Sequence, residues 1–182
     1  MKNCVEANVM DVFKNRCSTY HYDSDCGVSK EDLNAVFQAA RWAMSAYNEQ
    51  PWQYIVGVRD ADDGIWEKVL SCLVEPNQQW AQNAPVLALA MYKTHYDFNG
   101  ELNGTAMHDL GAASAFLTIE ATQRGMSVHQ MGGILPDKIR ETFDVKEGWV
   151  PLTGLAMGYE VETLETPERT RKPLSEVVLG AI

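Results

Sequence analysis

The sequence predicts an α+β fold in which strands and helices follow one another in mixed order. Two continuous apolar runs, "APVLALAMY" at 84–92 and "VPLTGLAMGY" at 150–159, have the composition of buried strands. Segments with helical spacing of apolar residues lie before, between and after them. Because the strands do not alternate regularly with helices, the pattern favours an α+β arrangement over a doubly wound parallel sheet.

The first half of the chain contains three predicted helices and one predicted strand. "NVMDVFKNRCS" (8–18) reads as a short first helix, and "IWEKVLSCL" (65–73) as the third. Ser29 is a good N-cap for the second helix, because Asp32 stands three residues later as a partial capping box. "QYIVGV" (53–58) has the β-branched and aromatic character of a strand. Apolar residues recur at helical spacing along the second helix, at Leu33, Phe37, Ala40 and Met44.

The second half begins with "HYDFNGELNG" (95–104), whose two Asn-Gly pairs predict a mobile loop. A long helix is predicted at 108–125, with Gly125 as its C-cap. Its small residues at 111–115 leave room for another helix or a flat ligand. A short strand, "MSVHQ" (126–130), and a short helix, "PDKIRETF" (136–143), complete the set of elements predicted before the last buried strand.

The C-terminal segment differs from the rest of the chain. We predict one domain at 1–160 and an extended arm at 161–182, because the arm contains two prolines and few core residues. Its end, "EVVL" (176–179), has strand-like composition. Such an arm is too extended to fold on itself, so we expect it to lie across a neighbouring element or a partner subunit.

Composition excludes several classes of function. The net charge of −10 over 182 residues argues against binding to nucleic acid or to anionic membrane surfaces. No apolar run is long enough to span a bilayer, and the N-terminus lacks the apolar region of a signal peptide. The cysteines lack CxxC spacing and the histidines lack ligand spacing, so we expect no metal site, reduced thiols and a cytoplasmic protein. These residues are Cys4, Cys17, Cys26, Cys72, His21, His95, His108 and His129.

Two features point to an anionic ligand and to a binding loop. Arginine offers a planar fork of donors suited to phosphate, and the basic segments "KNRCS" (14–18) and "ERTRKP" (168–173) could meet on one anion. The alternative is two solvated charge runs. The loop "SAYNEQPWQY" (45–54) carries an amide pair closed by Pro51 and Trp52, which is more than a surface turn requires. The alternative is a loop whose Trp52 caps the core.

The sequence shows no nucleophile–base constellation and no GxSxG, GxGxxG or P-loop motif, which fits a protein whose cofactor carries the reaction. Gly132 and Gly133 allow backbone N–H groups to face a ligand, although a turn before the Pro136 helix explains them equally well. Asn77 could read the edge of an amide-like ring, or serve as a turn or helix cap. His108, Asp109 and His129 are candidate acids by proximity alone, and a structural role is favoured for each.

Five segments in order resemble motifs of the FMN-dependent nitroreductase family, over nearly the whole chain. The most specific is "ARWAMSAYNEQPWQYIV", which is similar to the family's Ser-x-x-Asn-x-Gln-Pro-Trp stretch. "NRCS" resembles its N-terminal Arg-x-Ser phosphate motif, and three further segments follow at the expected spacing: "NQQWAQNAPVLALA", "HDLGAASAFLTIEATQRGMSVHQMGG" and "RKPL". The resemblance implies an α+β sandwich with a central, mostly antiparallel sheet flanked by helices, in a homodimer with exchanged C-terminal arms.

The resemblance also implies an activity and a set of cofactor contacts. The activity is ping-pong hydride transfer from NADH or NADPH through FMN to small acceptors such as nitroaromatics or quinones. Residues of the 45–54 loop would contact FMN held mainly by the other subunit, and the basic segments would hold its phosphate. Asn77 would face the pyrimidine edge of the flavin, and the 130–133 segment would line its face and N5 edge. The residues implied are Arg16, Cys17, Ser18, Tyr20, Ser45, Ala46, Asn48, Gln50, Asn77, Gln130, Met131, Gly132, Gly133, Arg171 and Lys172.

The chain departs from the family pattern at Tyr20 and Trp80. Relatives often carry a cation at the first position, and some carry lysine at the second. Such cations stabilise negative charge on reduced flavin, so we expect a lower two-electron potential here. Two other functions stay open from the sequence: an FMN-binding dimer without reductase turnover, acting as a carrier or interaction module, and a flavin enzyme of this fold with other chemistry, such as dehalogenation or flavin breakdown. No ribose-reading motif distinguishes NADH from NADPH.

Overall fold

The computed structural model describes residues 7–161 and 169–180. Four strands form its sheet: β1 (Trp52–Val58), β2 (Val86–Lys93), β3 (Ser127–Met131) and β4 (Trp149–Gly158). The helices of the described residues are α1 (Asp11–Asn15), α2 (Lys30–Arg41), α3 (Ile65–Ser71), α4 (Glu75–Ala81), α5 (Ala106–Gln123), α6 (Pro136–Phe143) and α7 (Leu174–Val177). Single 3₁₀ turns cover Ala46–Asn48 and Arg59–Ala61. The predicted α+β class is confirmed.

The sheet is antiparallel throughout, with strand order β1-β2-β4-β3. The two apolar runs predicted as buried strands form the central pair, in which Val86 lies opposite Met157. Central strands are covered on both faces, which is why β2 and β4 are apolar without alternation. β1 and β3 form the two edges, and Ser127 of β3 lies opposite Gly158 of β4.

Helices cover both faces of this sheet. Residues of α2 and α5 pack on one face, against Val86, Ala88 and Ala90 of β2. Residues of α3 and α6 pack on the other face, against Leu87 and Leu89. The alternation along β2 follows from the strand period of two, which points successive side chains to opposite faces. The result is a three-layer sandwich in which α5 is the longest helix.

Local signals set the helix ends. Ser29 accepts a hydrogen bond from the Asp32 backbone N–H at 3.0 Å and donates its hydroxyl to the Asp32 carboxylate at 2.6 Å, as predicted. Gly125 follows α5 with a φ of 79°, a left-handed conformation that glycine adopts without a steric cost. The chain therefore turns sharply from α5 into β3, which places the end of the helix beside that edge strand.

The structure corrects three predictions. The first helix covers only Asp11–Asn15, because the chain is extended from Arg16 onward. Helix α4 was not predicted, since its sequence "EPNQQWA" has Pro76 in the first turn and too few apolar residues to show a period. The strand-like end "EVVL" does not form a strand: Leu174–Val177 is helical and only Val178 is extended. A strand requires a neighbour to pair with, and α7 lies on an exposed part of the chain.

Two further predictions concern connecting segments. The 95–104 loop contains no helix or named strand, and an isolated bridge between His95 and Leu102 closes it. The predicted arm begins at 161, but residues 162–168 lie outside the described part, as do 181 and 182. Within the described ranges 7–161 and 169–180, no helix is both long and apolar enough to cross a membrane.

Candidate functional site

The two basic segments from opposite ends of the chain meet in the structure. Arg16 follows α1, and its Nη1 donates to the Ser18 hydroxyl at 3.3 Å. Partial burial lowers the pKa of Arg16, and the positive charges of Arg169 and Arg171 add to the decrease. Guanidinium groups repel one another unless an anion lies between them. The pair of predicted basic spots is therefore one cationic cluster.

Arg169 is the most informative member of this cluster. All three guanidinium nitrogens are buried and have no hydrogen-bond partner among the described residues. Burial lowers the pKa of Arg169, and the nearby charge of Arg171 lowers it further. A buried donor without a partner costs about 1–3 kcal/mol, and more when it is charged. An anion at this position would remove that cost.

Arg169 lies in the basic segment 168–173, but the residues of that segment predicted to hold the phosphate are Arg171 and Lys172. The structure places these two residues on the exposed side of the arm. Arg171 donates to the Thr170 carbonyl at 2.8 Å, and Lys172 lies 3.9 Å from the Glu176 carboxylate. The choice among three neighbouring cations depends on the path of an extended segment, which has no periodic sequence pattern.

A cavity of about 410 Å³ opens beside the cationic cluster. Arg16, Ser18 and Gln130 supply its polar lining, and Phe13, Ile119 and Val128 supply apolar lining. It lies among α1, the C-terminal half of α5 and β3. A cavity with charged and hydroxyl groups at one side and apolar walls elsewhere suits a flat ligand that carries an anionic group.

The 130–133 segment divides between this cavity and the core. Gln130 Nε2 donates to the Ser114 carbonyl at 3.1 Å and to the Thr118 hydroxyl at 2.9 Å, which fixes its side chain against α5. Met131 is buried among core residues, so only its backbone is available to a ligand. Gly132 has open space around it, and a backbone group there is accessible.

Asn77 and Gly133 contact each other. Asn77 lies in α4, and its Nδ2 donates to the Gly133 carbonyl at 3.1 Å. A Cβ atom on residue 133 would lie 2.7 Å from Val74 Cγ2 and would also clash with the Asn77 amide. The glycine is required by the close approach of α4. The structure thus brings Asn77 to the end of β3, next to Gly132.

Cys17 and Tyr20 flank Ser18 but differ in their surroundings. Cys17 is buried, with Sγ 3.2 Å from the Ser127 hydroxyl and 3.5 Å from the Glu160 carboxylate, so its side chain faces the interior. Tyr20 is exposed, and its ring centroid lies 5.1 Å from that of Trp80. The two positions at which the chain departs from the family pattern are therefore in direct contact.

His129 completes this aromatic cluster. Its ring lies 4.7 Å from Tyr20 and 4.5 Å from Trp80, and its Nδ1 lies 2.9 Å from the Thr19 carbonyl oxygen. Burial lowers the pKa of His129, and the charge of Arg16 lowers it further. Because a carbonyl oxygen can only accept, Nδ1 donates its proton to Thr19, and the ring packs against both aromatic side chains.

The 45–50 loop is held in an unusual conformation. Tyr47, Asn48 and Gln50 have φ values of 54°, 57° and 52°, which is the left-handed region that non-glycine residues rarely adopt. The Ser45 hydroxyl accepts the Gln50 N–H at 3.0 Å, and Gln50 Nε2 donates to the Asn48 carbonyl at 2.9 Å. Strained backbone of this kind persists only where the surroundings over-determine it, and it clusters at functional sites.

Asp109 anchors the loop to α5. The residue is buried at 3% exposure, and Oδ2 accepts the Ala46 N–H at 3.1 Å and the Thr105 hydroxyl at 3.4 Å. Asp109 was considered as an acid from the sequence, and these contacts assign it a structural role. His108 is largely exposed beside it, with Nδ1 3.4 Å from Oδ1. Trp52 packs on the core at the start of β1, as the alternative for this loop proposed.

Within one chain, the predicted site residues form two separate groups along α5. The 45–50 loop contacts the N-terminal turn at Asp109, whereas Gln130 and the cavity contact Thr118. Nine residues separate these contacts, which corresponds to about 14 Å at the helical rise of 1.5 Å per residue. Arg16, Ser18 and Gln130 belong to one group, and Ser45, Ala46, Asn48 and Gln50 to the other.

The chain is similar to known proteins over most of its length. The family model described as "Nitroreductase family" matches residues 13–159. YodC of Bacillus subtilis, whose name describes an NAD(P)H nitroreductase, is 25% identical over 201 residues, covering 93% of this chain and 97% of its own. A crystal structure described as an oxidoreductase containing FMN is 31% identical, with a TM-score of 0.88, covering 97% of this chain and 93% of its own.

A nitroreductase family protein from Clostridium difficile 630 is also similar in structure. It is 28% identical, with a TM-score of 0.76, and the match covers 94% of this chain and 97% of that one. The family model matches most of the chain, including the 45–54 loop and the residues that line the cavity. The chain belongs to the nitroreductase family.

Proposed function

We propose that this protein is an NAD(P)H-dependent FMN oxidoreductase that works by a ping-pong cycle and reduces small acceptors such as nitroaromatics or quinones. The observation that carries the proposal is the cationic cluster of Arg16, Arg169 and Arg171, whose member Arg16 lines a cavity with polar groups at one side and apolar walls elsewhere. The names of the relatives support the same activity, since YodC is named for NAD(P)H and the 31% identical oxidoreductase contains FMN.

The described residues fit FMN. Its phosphate would accept hydrogen bonds from the three Arg169 nitrogens, which bond to nothing in the part of the chain that the structure describes, and Arg16 with Ser18 would complete the anion site. The cavity of about 410 Å³ is within the size range of small-molecule sites. Asn77 and Gly132 lie at the end of β3, where an amide and an accessible backbone group could bond to the ring edge.

We further propose that the active form is a homodimer, because the two groups of site residues lie at opposite ends of α5. The face of α5 that turns away from the sheet carries Met107, Gly111, Ala115 and Phe116, all exposed in a single chain. If two copies pack these faces antiparallel, the 45–50 loop of one copy meets the cationic cluster of the other. Small residues permit such close packing of helices.

The segment 161–182 is proposed to serve both parts of this assembly. Its described portion supplies Arg169 and Arg171 to the cluster, and Lys172 lies next to them. Beyond α7, Leu179 is 91% exposed in the single chain, which supports its packing on a partner subunit. Cys26 and Cys72 form no disulfide within the described residues, which supports the cytoplasmic location that we propose.

In this proposal the protein's work is binding, orientation and electrostatics. When bound, FMN would supply the hydride chemistry between NAD(P)H and the acceptor. The arginines of the cluster would bind and neutralise its phosphate. The apolar residues Phe13, Ile119 and Val128 exclude water from its surroundings. Solvent supplies protons, and we assign no general acid.

The experiment is an anaerobic titration of the FMN-reconstituted protein with NADPH and then with NADH, followed by visible absorption. Rapid bleaching of a bound-flavin spectrum by either nucleotide is the expected result, and comparison of the two resolves the preference. A bound spectrum that persists with both would favour an FMN carrier over a reductase. Failure to retain flavin would refute the proposal. Steady-state rates with a nitroaromatic and a quinone then rank the acceptors.

A further inference from the structure

Three aromatic rings form an exposed cluster beside the 45–50 loop. Tyr47 packs edge-on against Tyr96 at 5.7 Å between ring centroids and against Phe98 at 5.5 Å, and Tyr96 and Phe98 lie 5.2 Å apart. Tyr47 is 81% exposed and Phe98 is 61% exposed in the single chain. Rings that contribute so little to the core have no evident role in stabilising the fold. We call this cluster the aromatic wall.

The wall is held by contacts between the two segments that form it. Tyr47 is fixed in the left-handed region within a loop that Asp109 anchors. The Asp97 N–H between the other two rings donates to the Glu49 carboxylate, and Lys93 forms an ion pair with Asp97. The 95–104 loop is therefore tied both to the 45–50 loop and to the end of β2. A preorganised surface loses little conformational entropy when a ligand binds.

The position of the wall relates it to the proposed active site. Tyr47 lies between Ala46 and Asn48, in the loop proposed to meet the FMN of the partner subunit. If this loop meets the partner's FMN as proposed, the wall would lie beside that cofactor and would border the place where the second substrate binds.

We propose that Tyr47, Tyr96 and Phe98 bind the electron acceptor and select flat, electron-poor acceptors that contain at least two fused six-membered rings. This rests on the proposed function. The faces of tyrosine and phenylalanine carry negative partial charge, so they attract the electron-poor face or edge of a quinone or nitroarene. Because Tyr47 stands edge-on to Tyr96 and Phe98, an acceptor that stacks on one ring meets the next ring at its edge, and a bicyclic acceptor can contact both where a monocyclic one contacts a single ring.

The test compares Tyr47→Leu, Phe98→Leu and the conservative control Tyr47→Phe. Because each substituted side chain is largely exposed, folding is preserved. An aromatic pair contributes up to about a factor of ten to an equilibrium constant. We expect each leucine variant to raise the KM for 1,4-naphthoquinone about tenfold relative to the KM for ferricyanide, with kcat little changed. Tyr47→Phe should restore the wild-type ratio, because it keeps the ring.

Equilibrium binding separates this inference from the proposed function. 1,4-Naphthoquinone is titrated into the oxidised protein without reductant, and calorimetry gives its affinity for the wild type and each variant. Size-exclusion chromatography gives the oligomeric state of the same samples. Weaker binding by the leucine variants, with the dimer intact, supports the wall even if the nucleotide titration fails. The proposal would be overturned by unchanged binding, or by an equal effect on the KM values for 1,4-naphthoquinone and ferricyanide. It would also be overturned if Tyr47→Leu dissociated the dimer, since the wall would then be a subunit contact.

Discussion

Removal of the Arg169 guanidinium should have opposite effects on cofactor affinity and on the apoprotein. Its three nitrogens are buried and have no hydrogen-bond partner within 7–161 and 169–180, and its charge lies close to Arg16 and Arg171. In Arg169→Ala, the loss of charge-assisted hydrogen bonds to phosphate costs about 1.5–3 kcal/mol, which weakens FMN binding by about 10- to 150-fold. Without FMN, the substitution removes a buried unpaired cation and relieves repulsion, so the apoprotein should be equally or more stable.

The assay separates phosphate from ring contacts by comparing FMN with riboflavin, which has the same ring and no phosphate. Quenching of flavin fluorescence gives both dissociation constants for the wild type, for Arg169→Ala and for Arg41→Ala. Arg41 is the matched control, since it lies in α2 and bonds to Gln38. Only FMN binding to Arg169→Ala should weaken. An equal loss for FMN and riboflavin, or an apoprotein less stable to urea, would refute the assignment of Arg169 to the phosphate.

Three further predictions address other parts of the site. Asp109→Ala removes the acceptor of the Ala46 N–H, so urea unfolding should show a loss of about 1.5–3 kcal/mol; a loss below 0.5 kcal/mol would contradict the anchoring role. The lowered pKa of His129 means that the unfolded chain takes up its proton at a higher pH than the folded chain does. The contribution of His129 to stability is therefore complete above the ordinary pKa of 6.5 and declines as the pH falls below it. Urea midpoints at pH 7.5 and 5.5 measure this decline, which should be smaller in His129→Gln than in the wild type. Tyr20→Arg places a cation beside Trp80 and should raise the two-electron potential of bound FMN in a redox titration, and the absence of an upward shift would refute the expected effect of this departure.

The parts of the fold that sequence predicted well are those in which a local pattern determines the structure. The apolar runs at 84–92 and 150–159 could be buried only at the centre of a sheet, and they form β2 and β4. Ser29 and Asp32 specify a helix start by their own hydrogen bonds. By contrast, α4 is held by tertiary contacts such as that between Asn77 and Gly133, which its polar sequence does not reveal.

The basic segments of the candidate site could be named from the sequence, but the contacts of their individual residues could not. The residues alone left open whether the two basic segments meet or form separate solvated charge runs, and the structure brings Arg16 close to Arg169 and Arg171. The role of Arg169 depends on burial, and that of Asp109 on a contact with the Ala46 backbone 63 positions away. Neither burial nor a contact of that range can be read from neighbouring residues.

Two energetic costs in the single chain point to the same assembled state. The three left-handed residues of the 45–50 loop cost about 1–3 kcal/mol each, and the buried Arg169 adds the cost of an unpaired cation. Both costs fall on residues of the proposed site, at opposite ends of α5. FMN would relieve the second through its phosphate, and contact of the loop with a partner's flavin would offset the first. Cofactor binding and dimer formation are therefore expected to stabilise each other: FMN should lower the concentration at which the dimer dissociates, whereas riboflavin, which leaves Arg169 unpaired, should lower it less.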